Sequence, residues 1–457
     1  MKLTRRRLLG GAAAAVAGGA GIYELVEQLG TSPKRPASGV AAFDEQHLID
    51  LRTTHSEGVE VVVPPLHSEI VTATVEDVDL ARARQQLDDA LASLESSYDP
   101  TTPAGLGIAV AWGVPYFARV HAAAQRHLPF DRRAQKPVLL PTRRFPSDPE
   151  TTILEQNDVA FLLRSDTLAH IEAAEGALRG LDFLHLTSVR RGFAGGGFDG
   201  KQSLPKKLAL AAGVPGADLI PDTSELFLGF TSTQKSGLGP RLIANHETLG
   251  YVDLRGGYFH GGTHMHLSHI SEDLEAWYLN FDFGERVVTA FAPGQKAKPN
   301  QQTVPQGPKD IHDAVQMRQT FDRTGRFGHS ASIQPTSRLQ QDHVGPDGAL
   351  YPKGTAIPQR ADFNTLDNPF FFSADPARDK WTKDPAAGVH FVVFNPTGDD
   401  FERNRLAMDG QLPDGTKLDV KPRSRAQGFN SVLTTTHRQN FLVPPRRHRS
   451  FPLAEFS

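Results

Sequence analysis

The sequence predicts an α+β fold rich in antiparallel strands, on three observations. Between residues 106 and 189 the pattern runs strand, strand, helix, strand, with no block of helices alone. The 457 residues are 39% hydrophobic, which suffices for two domains of roughly 150 residues or more and a leader. No self-similarity at solenoid periods competes with this reading.

In chain order, Leu80, Leu87, Leu91 and Leu94 form one stripe of an amphipathic helix over residues 78–96. Leu106, Ile108, Val110 and Trp112 alternate with Gly or Ala as a strand that Pro115 ends. Val159 to Leu163 is a short apolar strand, and Asp166 is placed to cap a helix through Leu178. A further strand runs from Phe183 to Val189. Gly192 to Gly200 is glycine-rich but lacks the Lys-Ser/Thr ending of a phosphate loop, which excludes nucleotide binding there. Residues 201–225 form a loop with a short central helix, and Leu226 to Phe230 a short strand.

Tyr258 to Ile270 is a histidine-rich strand. Its alternation puts His264, His266 and Ser268 on one face and Met265, Leu267 and His269 on the other. Ser271 is placed to cap a helix carrying Leu274, Trp277 and Tyr278. Residues 292–310 form a loop, Ile311 to Arg323 is helical, and residues 341–358 are a loop insertion. Val389 to Phe394 is a buried strand. Asp399 or Asp400 caps a helix from Phe401 to Met408, stopped by Gly410.

At the N-terminus, Arg5, Arg6 and Arg7 precede an uncharged apolar run from Gly10 to Ile22. This is the pattern of a secretory leader of the twin-arginine type, and the run is too short and too rich in Ala and Gly for a membrane span. Residues 1–30 are therefore read as the signal segment and 31–75 as a linker or N-terminal extension. The expectation is export by the twin-arginine machinery to the periplasm or exterior. An uncleaved membrane anchor stays open, since no Ala-x-Ala site follows.

Net charge is −3, from 49 basic and 52 acidic residues, which leaves no electrostatic footprint for nucleic acid. The chain has no cysteine, so disulfides, zinc–thiolate sites, iron–sulfur clusters and thiol nucleophiles are excluded. With 18 histidines, any metal would be held by nitrogen and oxygen. His260, His264, His266 and His269, with Glu272, could begin a three-ligand non-haem metal site. The same residues suit a polar-faced strand whose histidines pack on neighbours better than they suit a metal site, since His-x-His pairs arise easily in a chain with 18 His. No Gly-x-Ser-x-Gly elbow is present.

Several stretches together resemble the dye-decolorizing peroxidase (DyP-type) superfamily, in particular an exported, less characterised branch. They are Leu106 to Phe117, Gly261-Gly262-Thr263 through Trp277, Gly328-His329-Ser330, Arg360-Ala361-Asp362-Phe363-Asn364 and Val389 to Met408. They occur in the family's order across residues 100–410. The resemblance implies two ferredoxin-like domains of the dimeric α/β-barrel type with antiparallel sheets, at residues 76–255 and 256–457. It implies haem b, hydrogen peroxide as oxidant and a bulky organic reductant, and it leaves a homo-oligomer open.

By the same resemblance His329 is the iron ligand, Arg360 the distal charge, Asn364 a further cofactor-side residue and Asp199 the acid–base candidate. Such an imidazole is expected to donate its other nitrogen to a carboxylate, while a guanidinium stabilises charge as the O–O bond breaks. In this chain the family's distal Asp position falls after Gly229-Phe230, where Thr231 to Thr233 carry no carboxyl. Asp199 would therefore serve through a shifted loop or the distal acid is absent. In the latter case a haem-binding protein without turnover is the alternative reading.

Overall fold

The computed structural model describes residues 21–30, 46, 53–56, 59–76, 79–197, 202–230, 251–252, 257–299, 301, 310–345, 348 and 350–456. The predicted signal segment through residue 20 and Asp199 lie outside the described residues.

A short helix, α1 (Gly21–Leu29), precedes the sheet. The first half of the molecule then runs β1 (His67–Val75), α2 (Leu80–Ser97), β2 (Gly107–Gly113), β3 (Val159–Ser165), α3 (Leu168–Arg179) and β4 (Leu184–Phe193). All its pairings are antiparallel, in the spatial order β4-β1-β3-β2. This is the ferredoxin-like βαββαβ arrangement. Strand β1 lies inside the stretch read from the sequence as a linker, yet its Val71, Ala73 and Val75 are core residues.

The second half repeats the pattern with β5 (Thr263–Glu272), α4 (Leu274–Asn280), α5 (Ala314–Thr324), α6 (His329–Ser337), β6 (Phe363–Thr365), β7 (Gly388–Asn395), α7 (Gly398–Ala407) and β8 (Leu433–Val443). Its order is β8-β5-β7-β6, again antiparallel. The halves join twice. Strand β8 pairs with β2 through Leu442 and Trp112, and β6 pairs with β4 through Asn364 and Phe193. Eight strands thus close into a ring.

An eight-stranded barrel is just wide enough for side chains to fill. Here Ala109, Ala111 and Ala160 of the first half share the interior with Met265, Leu267, Phe394 and Phe441 of the second. Outside the first sheet, Leu87, Leu91 and Leu94 of α2 and Ile171 and Leu178 of α3 pack directly on the strands. The stripe predicted for residues 78–96 is the one that is buried.

Local signals that the sequence assigns wrongly concern caps and one turn. Asp273, not Ser271, caps α4 by accepting from Ala276 N. Thr397 caps α7 by accepting from Asp400 N, in place of Asp399 or Asp400. Thr167 occupies the cap position of α3, and Asp166 instead accepts from Leu66 N at 2.9 Å. Leu226 to Phe230 is a turn rather than a strand. Its Leu228 and Phe227 carbonyls accept from Trp277 Nε1 and the Tyr278 hydroxyl of α4, so the backbone needs no ladder partner.

Candidate functional site

On the second sheet the outer face is not filled by helices. A cavity of about 170 Å³ lies between that face and helices α6 and α7. The sheet wall presents Ser268, Ile270 and Glu272 from β5, Val389, Phe391 and Val393 from β7, and Thr435 and Arg438 from β8. The helix wall presents His329 and Ile333 from α6, and Phe401, Asn404, Arg405 and Met408 from α7. Arg360 and Asp362 stand beside the sheet wall, where Gln359 and Arg360 pair with Phe394 and Val393 of β7.

His329 is fixed by backbone constraints on both sides. It is the first residue of α6, after Gly328 at the cap. A Cβ on Gly328 would lie 2.4 Å from the Phe291 carbonyl oxygen and 2.6 Å from that of Val288, so only glycine fits. Gly428, in the left-handed region at φ 54°, brings its chain against the other side, where a Cβ would meet His329 N at 2.9 Å. The ring rests on Phe429, with centroids 4.7 Å apart. Its Nδ1 is buried without a hydrogen-bond partner. Burial above all, with Arg360 and Arg405 adding to it, pushes the imidazole down to about 3, so it is neutral at physiological pH.

The charges around the cavity are partly committed. Arg405 donates to Asp409 Oδ2 at 2.9 Å, to Ser147 Oγ at 2.5 Å and to Asp148 Oδ1 at 3.2 Å. Arg438 donates Nη2 to the same Asp148 oxygen, while its Nε and Nη1 are buried and unpartnered. Burial pulls the Arg438 guanidinium down to about 9, with Asp148 opposing that fall. Arg360 Nε lies 3.7 Å from Asp362 Oδ1. Glu272 Oε2, both amide atoms of Asn395 and Asn404 Oδ1 also lack partners. Several unpaired donors and acceptors therefore line one apolar slot, and buried polar groups in proteins are ordinarily satisfied.

Of the residues the sequence singles out, the cavity brings together His329 and Arg360, on facing walls. Arg338, the nearer arginine in sequence, is not among the lining residues and donates to the Gly354 carbonyl. Asn364 is at the seam between the halves, with Nδ2 directed to the backbone carbonyls of Glu225 and Phe193 and not to the cavity. No carboxylate receives His329 Nδ1, contrary to the expectation for an iron-bound imidazole.

The histidine cluster does not assemble. Among the described residues no three His, Asp or Glu side chains are placed to hold a metal ion. His266 is held between Asn440 Oδ1 at 2.7 Å and Ser268 Oγ at 2.6 Å and stacks on Phe401. His264 is buried nearby, while His269 lies against His390. Sequence reasoning missed Arg405, Arg438, Asn395 and Asn404. The one signal for Arg438 is a charged residue inside the otherwise apolar and polar run 433–443.

The DUF7405 family, described as a family of unknown function, matches residues 65–445. No curated protein matches the chain. Among solved structures, the encapsulated DyP-type peroxidase from Mycobacterium smegmatis is 14% identical, with 85% of this chain and 96% of that one covered and a TM-score of 0.48. A dye-decolorizing peroxidase from Bacteroides thetaiotaomicron is 13% identical, covering 85% and 96%, at 0.48. A DypB variant from Rhodococcus jostii RHA1 in complex with heme is 15% identical, covering 85% and 97%, at 0.47. With 381 consecutive residues spanned by one match (445 − 65 + 1), the chain belongs to the DUF7405 family of unknown function.

Proposed function

We propose that this protein is a haem-dependent peroxidase of the DyP type, which reduces hydrogen peroxide and oxidises a bulky organic substrate. The observation that carries the reading is the slot with an unpartnered, neutral His329 on the helix wall and Arg360 and Arg438 on the sheet side. The residues present fit a haem. One neutral imidazole would suffice to hold the iron, the lining of Ile270, Val389, Phe391, Val393 and Phe401 would suit an apolar macrocycle, and the unpaired Arg438 donors would suit its carboxylates. Haem, when bound, would supply the electrons that cleave the O–O bond.

The chain's own residues would then do three things. His329 holds the cofactor from the helix wall. Arg360 would offset negative charge developing on the peroxide. The apolar walls exclude water. The test is the visible spectrum of the purified protein supplied with haem, beside His329→Ala. A Soret band in the native chain that the variant lacks, with far-ultraviolet circular dichroism unchanged, is expected; a band equal in both overturns the ligand assignment.

A second reading, haem binding without turnover, has its own observation. The partnerless Nδ1 of His329 lacks the carboxylate that raises a ligand's basicity. Stopped-flow mixing of the haem-loaded protein with peroxide separates the two, since a haem spectrum that peroxide leaves unchanged favours the second. We further propose export by the twin-arginine route to the periplasm or exterior, on the support of Arg5 to Arg7 and the run Gly10 to Ile22. Replacing Arg5 and Arg6 with Lys while following the protein's cellular fraction tests this.

A further inference from the structure

We infer that Asn395 anchors the organic substrate of the slot, and that this substrate is an uncharged aromatic compound with a hydrogen-bond donor beside an acceptor, as in a carboxamide. The inference rests on the peroxidase reading above and names a recognition group for the molecule that is oxidised.

Asn395 is 0% exposed, and it lines the cavity. Its side-chain nitrogen and oxygen are both buried without a hydrogen-bond partner. A primary amide carries two donor hydrogens and an acceptor oxygen with two lone pairs. Leaving all of these unmade costs stability, so a buried amide is ordinarily satisfied. His264, opposite Asn395 on β5, is equally buried, and both its ring nitrogens lack partners too. The fold therefore does not spend the amide on its neighbour. The backbone, by contrast, is tied down, because the Asn395 carbonyl accepts from the Thr263 hydroxyl at 2.8 Å.

The register places this amide on the wall that carries Arg360. Val389, Phe391, Val393 and Asn395 alternate along β7 onto the cavity face, and Asn395 ends the strand. Arg360 pairs with Val393, so Asn395 is one step further along the same face. Two residues on, Thr397 caps α7, and that helix contributes Phe401 and Asn404 to the opposite wall. Phe401 clusters with Val393 and Phe145. Asn404 Oδ1 is a second buried acceptor without a partner on this lining.

The chemistry of the corner selects its ligand. Phe391, Val393 and Phe401 suit a flat apolar body, and a few placed polar groups on such a lining fix orientation and specificity. The Asn395 edge gives one hydrogen bond and takes one, which matches a neutral group with the same two functions. A carboxylate has no donor to offer the acceptor oxygens of Asn395 and Asn404. The unpaired guanidinium donors that suit a carboxylate are those of Arg438 on β8, and β5 lies between β8 and β7. The two ends of the slot thus recognise different chemistry.

The experiment uses Asn395→Leu and Asn395→Gln in the full chain. Leucine has a similar size and no polar atoms, so the ligand-free Asn395→Leu protein should unfold at a higher urea concentration than the native chain, with the denaturant slope unchanged. Benzamide, titrated calorimetrically, should bind the native chain and lose roughly 10-fold or more in affinity in Asn395→Leu, while toluene, which lacks the amide, binds both alike. Asn395→Gln should keep part of the benzamide affinity. In the haem-loaded protein, turnover of 4-hydroxybenzamide with hydrogen peroxide should show a raised KM with kcat unchanged in Asn395→Leu. A lower urea midpoint in Asn395→Leu, meaning that water or the fold already satisfies the amide, overturns the inference. So does benzamide that fails to bind the native chain or binds both proteins equally. A native chain that binds benzamide through Asn395 yet takes up no haem overturns the peroxidase reading and leaves the subsite standing.

Discussion

Asp148 Oδ1 accepts from Arg438 Nη2 at 2.7 Å, joining two side chains that are almost wholly buried at the edge of the cavity. The same oxygen also receives Arg405, so one carboxylate holds a guanidinium from β8 and one from α7. It ties the sheet wall to the helix wall.

Replacing Asp148 by Asn should therefore leave two buried cations without their shared anion. Breaking a buried ion pair by removing one partner costs about 3 kcal/mol or more. The expected outcome is a lower urea midpoint with an unchanged denaturant slope, measured by circular dichroism. An unchanged midpoint would show that the pair contributes nothing net.

Arg360→Leu should retain haem, because the proposed ligand, His329, is on the other wall, and should slow the first reaction with peroxide. Removing one preorganised charge of this kind costs roughly 10²-fold in rate. Stopped-flow absorbance at equal haem content measures it, and an unchanged rate moves the role to Arg438, whose Nε and Nη1 are unpartnered on this cavity.

Acid should weaken the fold through its buried histidines. Burial lowers His264 to about 3 and His67 to about 4. The unfolded chain takes these protons near 6.5 and the folded chain does not. The stability they contribute is full above pH 6.5 and is lost as pH falls through that window, by about 1.4 kcal/mol per pH unit for each group. Both ring nitrogens of His264 lack partners, so His264→Leu removes the titration without removing a hydrogen bond. Urea midpoints at pH 7 and pH 5 should differ less in that variant than in the native chain.

Much of the fold is legible in the sequence because it depends on periodic burial. Leu87, Leu91 and Leu94 are spaced for one helix face, and Met265 and Leu267 alternate with His264 and His266 across one strand. The capping residues were misread because neighbouring Ser, Thr and Asp all suit a cap, and only the final backbone path selects Asp273 or Thr397. Leu226 to Phe230 is apolar like a strand, but its carbonyls are claimed by Trp277 and Tyr278, residues some fifty positions away. The same reason hides half the site. His329 and Arg360 carry a local signature, whereas Arg405, Arg438 and Glu272 meet only when β5, β8 and α7 are assembled.

Helix α1 sets a limit that any proteolytic trimming of the N-terminus would meet. Its Ile22, Tyr23 and Val26 are buried in the core beside Leu66, Leu168 and Phe193, and the Tyr23 hydroxyl donates to Asp367 Oδ1 at 2.6 Å. Glu27 of the same helix accepts from Leu168 N at 2.9 Å. A cut within 21–29 would strip a docked piece of the core and orphan a buried carboxyl. N-terminal sequencing of the purified protein should therefore find a first residue numbered 21 or lower.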